Sequence, residues 1–119
     1  MAKNILFVDD DITSLDIMSI LFEKNGYEVT RSTDGLHAIS SVEEKNPDLI
    51  IVDLMMPNID GVSTVRKIRE NGYKNPVIAF TASNDLNLHE QAIQAGCEQV
   101  ITKPCKAQNL VQSIAKIFE

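Results

Sequence analysis

The strongest constraint on the fold comes from two short apolar runs that end in aspartate. Residues 5–8 lead directly into Asp9 and Asp10, and residues 49–52 lead into Asp53. Continuous runs rich in Val and Ile are typical of strands buried on both faces of a parallel sheet. Open α/β folds bind their ligands outside the carboxyl ends of such strands. The pattern therefore predicts that these carboxylates meet at one edge of a sheet.

Three neighbouring carboxylates need a compensating positive charge. Two unit charges of like sign repel by roughly 4 kcal/mol at 4 Å when the effective dielectric constant is near 20. A divalent cation is the simplest compensation, and Mg2+ prefers oxygen ligands of this kind. The sequence therefore predicts a magnesium site at Asp9, Asp10 and Asp53.

The composition indicates one domain over residues 1–119, with 44% hydrophobic and 24% charged residues. A net charge of −6 argues against direct nucleic-acid binding, which depends on lysine and arginine. No apolar run approaches the ~20 residues of a membrane span, and no signal-peptide pattern opens the chain. The expected compartment is the cytoplasm. Cys97 and Cys105 have no metal-ligand or redox spacing, so both are expected to be reduced and partly buried.

Strand and helix patterns alternate along the whole chain with short connections. Such alternation is typical of right-handed βαβ units on a parallel sheet. The expected fold is an α/β, flavodoxin-like (βα)5 three-layer sandwich with a five-stranded parallel sheet. The predicted strands are residues 4–9, 27–32, 48–53, 76–81 and 99–102, and the predicted helices are residues 11–25, 35–45, 62–70, 84–95 and 107–118.

The spacing of large apolar residues predicts which face of each helix contacts the sheet. Ile12, Leu15 and Phe22 are expected on the inner face of the first helix. Leu36 and Ile39 are expected on the inner face of the second helix.

Two further polar residues lie at the ends of predicted strands: Thr81 ends the fourth strand, and Lys103 follows the fifth. Carboxylates for a hard cation, a hydroxyl donor and an ammonium together form a binding place for a phosphoryl group. The set has no general base. Asp53 needs none, because an aspartate with the usual pKa of about 4 is already an anion at pH 7.

Four short motifs, in order along essentially the whole chain, resemble those of the receiver domain of two-component response regulators, in its chemotaxis-regulator-like single-domain form. The resemblance implies the strand order 2-1-3-4-5, in which the first and third strands are neighbours. The motifs are Val8-Asp9-Asp10, Val52-Asp53 with Met56-Pro57 and Asp60-Gly61, Phe80-Thr81-Ala82, and Thr102-Lys103-Pro104.

The resemblance implies a phosphorylation-activated switch in which Asp53 accepts a phosphoryl group. The donor would be the phosphohistidine of a sensor histidine kinase or a histidine phosphotransfer domain. Asp10 and Asp53 would bind Mg2+ directly, Asp9 largely through a water molecule, and Met55 through its carbonyl. Such a domain is regulatory and not a conventional enzyme, although it promotes its own Mg2+-dependent phosphorylation and dephosphorylation.

The resemblance also implies how the domain responds to phosphorylation. Lys103 would pair with one phosphoryl oxygen and the Thr81 hydroxyl would bond to another, and the Lys103-Pro104 peptide bond would be cis. The fourth helix, fifth strand and fifth helix would signal to an unknown downstream protein. The chain would be a monomer or a weak phosphorylation-dependent dimer. It would be a stand-alone regulator, a phosphorelay intermediate or a piece of a longer protein.

Four residues depart from the usual receiver pattern, including Cys105, which stands where phenylalanine is common after the Lys-Pro pair. Val100 stands where an aromatic side chain is common, and valine is short and restricted at χ1. We therefore expect the signal to pass through the packing of residues 84–95. Met55 and Ser83 occupy the positions that line access to the phosphoryl group, and neither side chain has a carboxylate or amide to orient water. Slow self-dephosphorylation is the expected result.

Simpler interpretations apply to several polar residues. Asp11 is expected to cap the first helix. For Asp10, helix capping is the alternative to metal binding. Asp60-Gly61 is expected to form a turn and a helix start. His37 and His89 are expected to be exposed to solvent.

Two other classes of protein share parts of the pattern. An aspartate-nucleophile phosphohydrolase also uses a strand-end aspartate, a lysine and Mg2+. Enzymes of that class combine an Asp-x-Asp motif at the first strand with a cap domain, and no second domain is expected in this chain. A flavodoxin-like cofactor binder needs a hydroxyl- and glycine-rich loop after the first strand, where residues 9–11 are three aspartates.

Overall fold

Five parallel strands and five helices alternate along residues 2–119, the part of the chain that the computed structural model describes. The sheet order is β2-β1-β3-β4-β5, which confirms the predicted fold class and strand order. No helix within residues 2–119 is both long and apolar enough to cross a membrane. The strands are β1 (Asn4–Val8), β2 (Glu28–Ser32), β3 (Leu49–Val52), β4 (Val77–Thr81) and β5 (Gln99–Thr102). The helices are α1 (Ile12–Lys24), α2 (Gly35–Lys45), α3 (Gly61–Glu70), α4 (Leu86–Ala95) and α5 (Ala107–Ile117).

The sheet separates two apolar layers. Leu6 and Val8 of β1 contribute to the layer that contains residues of α2, α3 and α4. Ile5 and Phe7 contribute to the layer that contains residues of α1 and α5. Successive residues of a strand point to opposite faces, so a strand covered by helices on both sides must be apolar throughout. This explains the uninterrupted apolar runs of β1 and β3.

Four of the five helices begin at an aspartate whose side chain accepts a backbone N–H of the first turn. Such a cap contributes about 1 kcal/mol to helix stability. The expected cap at Asp11 and the helix start at Asp60-Gly61 are confirmed. These four aspartates at the carboxyl edge of the sheet therefore have a structural role as helix caps, which Asp9, Asp10 and Asp53 do not share. The four caps are Asp11, Asp34, Asp60 and Asp85.

The prediction that Ile12 and Leu36 lie on the inner faces of their helices is wrong. Ile12 is 55% exposed, since it begins α1 beside the exposed Asp10 and Asp11, and Leu36 is 63% exposed. The buried face of α2 includes two small residues, Ala38 and Ser41. Small side chains let a helix lie close to a sheet, so a pattern that counts only large apolar residues assigns the wrong face to a helix of this kind.

Arg69 connects two loops at the end of the sheet opposite the aspartates. Its guanidinium donates to the carbonyl oxygens of Tyr73 and Asn75 at 2.9 and 2.8 Å, and to that of Gly96 at 2.8 Å. The end of α3 is thereby joined to the segments that precede β4 and β5. No feature of the sequence around Arg69 indicated this role.

Candidate functional site

The carboxyl ends of β1 and β3 bring three aspartates together. Val8 pairs with Val52 in the sheet, so Asp9 and Asp53 leave the sheet side by side. One carboxylate oxygen from each of Asp9, Asp10 and Asp53 lies within 4.8 Å of the other two. Asp9 and Asp53 are 1% and 7% exposed, whereas Asp10 is exposed. The three carboxylates that strand ends alone predicted to meet do meet.

Lys103 reaches the same place from the end of β5. Its Nζ atom lies 2.7 Å from Oδ2 of Asp9 and 3.7 Å from Oδ2 of Asp53. The ring of Phe80 lies beneath the ammonium, with its centroid 5.1 Å from Nζ. The amide of Lys103 donates to the carbonyl of Thr81 at 2.7 Å, which fixes the backbone from which the side chain extends. The Lys103–Pro104 peptide bond is cis.

Charge at this site is only partly balanced, because three carboxylates share one ammonium. Burial raises the pKa of the Asp53 carboxyl above its ordinary value of 3.8, and the charges of Asp9 and Asp10 raise it further. The Met55 amide, which donates to Oδ1 at 3.0 Å, and Lys103 oppose that rise. A divalent cation matches this donor set, since it binds carboxylate oxygens and neutralises the excess negative charge.

Thr81 and Met55 contribute in different ways. Thr81 is fully buried at the end of β4, and its hydroxyl oxygen accepts the amide N–H of Ser83 at 3.2 Å. A hydroxyl that accepts a hydrogen bond keeps its own proton as a donor. The Met55 side chain is exposed, so the part of this residue that belongs to the site is its backbone.

Gly61 shapes the loop that follows Asp53, and the sequence did not reveal this role. A Cβ atom at position 61 would lie 2.4 Å from the carbonyl oxygen of Asp53 and 2.6 Å from Cα of Leu54. Both are backbone atoms and cannot turn aside. The amide of Gly61 donates to the carbonyl of Leu54 at 3.2 Å. The only signal in the sequence was a glycine after a helix-capping aspartate.

The two histidines differ from each other. His37 is exposed, and its Nδ1 lies 2.9 Å from Oγ of Ser32. His89 is half-buried, and its Nε2 lies 2.6 Å from the carbonyl oxygen of Ser83. The expectation of solvent exposure is confirmed for His37 and wrong for His89, because a backbone carbonyl lies within its reach.

Residues 5–115 match the family model described as the response regulator receiver domain. The chain is also 33% identical, over 115 residues, to the probable C4-dicarboxylate response regulator DctR of Priestia megaterium. That alignment covers 95% of this chain and 50% of DctR. The chain therefore spans about half the length of this curated relative.

Solved structures show the same relationship. The receiver domain of the sensor histidine kinase PA1611 from Pseudomonas aeruginosa PAO1, which has a magnesium ion coordinated in its active-site cleft, is 33% identical with a TM-score of 0.90 over 100% of both chains. A CheY-like receiver domain protein from Methanospirillum hungatei JF-1 is 26% identical with a TM-score of 0.93, over 98% of this chain and 93% of that chain.

The chain belongs to the response regulator receiver domain family. It is a regulatory domain of two-component signalling and not a conventional enzyme. Receiver domains bind Mg2+ in their active-site cleft and interact with histidine kinases and phosphotransfer proteins. The resemblance inferred from four short motifs is thereby confirmed.

Proposed function

We propose that this protein is a phosphorylation-activated switch in which the Asp53 carboxylate accepts a phosphoryl group from a phosphohistidine. A carboxylate oxygen of Asp53 attacks phosphorus and forms a P–O bond. The P–N bond of the donor breaks, and its electron pair returns to the imidazole nitrogen. The donor is a sensor histidine kinase or a histidine phosphotransfer domain.

One observation carries this proposal. A buried aspartate lies within reach of two further carboxylates and of an ammonium, at the carboxyl edge of a parallel sheet. A carboxylate held among other carboxylates is an unfavourable structural element, since each close pair repels by roughly 4 kcal/mol at an effective dielectric constant near 20. Such clusters persist where they hold a cation or react.

Asp10 and Asp53 would hold Mg2+ directly, Asp9 largely through a water molecule, and Met55 through its carbonyl. The bound ion would supply the positive charge that lets an anionic nucleophile approach an anionic phosphoryl group. The amide of Met55, which bonds to Oδ1 of Asp53 at 3.0 Å, restrains the carboxylate before the reaction. The half-buried ammonium of Lys103 is placed to pair with a phosphoryl oxygen on Asp53.

Phosphorylation changes the charge beside Thr81 and Lys103, and only the phosphorylated form offers them new acceptors. The Thr81 hydroxyl would then donate to a phosphoryl oxygen.

Output would pass to a downstream protein through α4, β5 and α5. Val100 is half-buried against the same apolar layer as Ala92 of α4, which agrees with transmission through the packing of this helix. Phosphorylation-dependent amide shifts confined to the strand edge, without changes in α4 or Val100, would contradict it.

The site also favours a long-lived phosphoryl group. Neither Met55 nor Ser83 carries a carboxylate or amide that could orient an attacking water molecule. A Met55→Asn variant is expected to lose phosphate faster than the wild type in a time course of intact mass. A Leu86→Asn variant, changed at an exposed position of α4, is the matched control. An unchanged rate of phosphate loss in Met55→Asn would contradict the explanation that slow dephosphorylation results from the side chain at position 55.

The proposal is tested by intact mass after incubation with acetyl phosphate and Mg2+. Addition of one phosphoryl group is expected in the wild type and in Asp34→Asn, a helix-cap control. No addition is expected in Asp53→Asn or after Mg2+ is chelated. Addition that persists in Asp53→Asn would assign the phosphoacceptor to another residue.

The cytoplasmic location stays a prediction from the sequence. The same holds for the oligomeric state, a monomer or a weak phosphorylation-dependent dimer, and for the extent of the domain over residues 1–119.

A further inference from the structure

The backbone of Ser83 connects Thr81 to helix α4. On one side, the amide N–H of Ser83 donates to Oγ1 of Thr81 at 3.2 Å. On the other side, the carbonyl oxygen of Ser83 lies 2.6 Å from Nε2 of His89, a residue of α4. A carbonyl oxygen only accepts hydrogen bonds, so Nε2 of His89 carries the proton. The hydroxyl of Thr81 and the ring of His89 therefore hold the same residue from its two ends.

The first half of α4 has polar contacts with this loop, and its one side chain packed against the apolar layer is the half-buried Leu88. The buried residues of α4 are Ala92 and Ala95, both in its second half, whereas Leu86 at its start is 78% exposed. The amide of Asp85, the residue that caps α4, donates to Oγ of Ser83 at 3.2 Å. A segment with little buried apolar surface is the part of a fold that opens or shifts at low cost. The contacts of Asp85 and His89 with Ser83 therefore contribute to the position of the first half of α4.

We propose that His89 transmits the state of Thr81 to helix α4 through the backbone of Ser83. This rests on the proposed function, in which the Thr81 hydroxyl donates to a phosphoryl group on Asp53, and it adds that the Thr81 side chain rotates toward that group. That rotation removes the acceptor of the Ser83 amide, and the loop rearranges to satisfy it. His89 retains the carbonyl of Ser83, so the first half of α4 moves with the loop. His89 is a positioning residue in this scheme and does not contact the phosphoryl group.

The test uses beryllofluoride with Mg2+ as a stable stand-in for the phosphoryl group, and amide chemical shifts of the whole chain as the readout. Four proteins are compared: wild type, His89→Ala, His89→Gln and His37→Ala. Glutamine retains an N–H donor at the end of the side chain. His37→Ala is the matched control, because it removes the other histidine and a side-chain contact of similar length on α2.

In the wild type, beryllofluoride is expected to shift the amides of Ser83 and of residues in the first half of α4. His89→Ala is expected to bind beryllofluoride, with the Ser83 shift retained and the α4 shifts reduced. A loss of about fivefold in the population ratio of the two α4 arrangements corresponds to one neutral hydrogen bond. His89→Gln is expected to recover most of the response, and His37→Ala all of it. Recovery by glutamine separates a hydrogen-bonding role from general packing.

Two results would overturn the proposal in distinguishable ways. Wild-type α4 shifts in His89→Ala, with beryllofluoride bound, would refute the coupling and leave the proposed function intact. No Asp53-dependent binding of beryllofluoride in the wild type would refute both. In the free protein, the ¹⁵N shift of the His89 ring, assigned by comparison with His37→Ala, is expected to show a protonated Nε2. An unprotonated Nε2 would also refute the coupling.

Discussion

The ammonium of Lys103 lies 2.7 Å from the carboxylate of Asp9, a residue 94 positions away in the chain. The same Nζ atom is 3.7 Å from Asp53. The Asp9 side chain is 1% exposed and that of Lys103 21% exposed, so this pair is largely removed from water. In the metal-free protein, Lys103 is therefore the main counter-ion of Asp9 and only a secondary partner of Asp53.

Lys103→Met is expected to destabilise the metal-free protein and to bind Mg2+ more tightly. Removal of one partner from a buried pair costs about 3 kcal/mol. Without the ammonium, nothing cationic repels the incoming ion, and we expect a gain of about threefold to tenfold in affinity. Thermal melts and titration calorimetry measure the two effects. Lys106→Met, at an exposed position of the same loop, is the control, and equal Mg2+ affinity in both variants would contradict the prediction.

Asp53→Asn is expected to stabilise the metal-free protein at pH 7. The pKa of Asp53 is raised in the folded state, so its contribution to stability is complete below pH 3.8 and is lost as the pH rises through the folded pKa. Above that range the ionised carboxylate costs stability. We expect a gain of about 1 kcal/mol, or roughly 4 °C in Tm, that shrinks toward pH 4.

The control for that measurement is Asp34→Asn, because Asn and Asp cap helices almost equally well. A Tm difference between wild type and Asp53→Asn that does not change with pH would show that burial of the charged carboxylate is not its cause. Excess Mg2+ should reverse the order of stability, since it binds the wild-type site more tightly.

Gly61→Ala is expected to weaken both the fold and the metal site. The new methyl group would meet backbone atoms of Asp53 and Leu54, and overpacking of this kind costs about 1–3 kcal/mol. Displacement of the Asp53 backbone should lower Mg2+ affinity as well. Gly72→Ala is the control, because it also faces a conformational cost, at a φ of 97°, but has open space around it. Mg2+ affinity that falls equally in both variants would contradict a local effect at Asp53.

The two cysteines are expected to react at different rates with a thiol reagent at pH 8. Cys97 is buried, and its burial raises the pKa of the thiol to about 12. Because the thiolate is the reacting species, modification of Cys97 should require unfolding or local opening. Cys105 is half-buried and should react first, so Cys105→Ser should remove the fast phase and Cys97→Ser should retain it. A fast phase that survives in Cys105→Ser would contradict this order.

The sequence was sufficient to predict the order and type of all ten elements. Their boundaries were correct to within two residues, with α4 beginning at Leu86 instead of residue 84. The reason is that a sheet covered on both faces demands uninterrupted apolar strands, and capping aspartates mark most helix starts. Faces of helices were less predictable. Leu36 is exposed while Ala38 is buried, because close packing against a sheet selects small residues that a search for large apolar side chains overlooks.

The residues of the candidate site could be identified from the sequence because parallel strands deliver their terminal residues to one edge. Local composition determined that Asp9, Asp10, Asp53, Thr81 and Lys103 each follow or end a strand. Only the tertiary structure decided that Lys103 pairs with Asp9 before Asp53, and that His89 bonds to the loop after Thr81. Strand ends are set locally, where an apolar run meets a polar residue. Partners, burial and the resulting pKa of Asp53 depend instead on distances between segments that meet only in the folded chain.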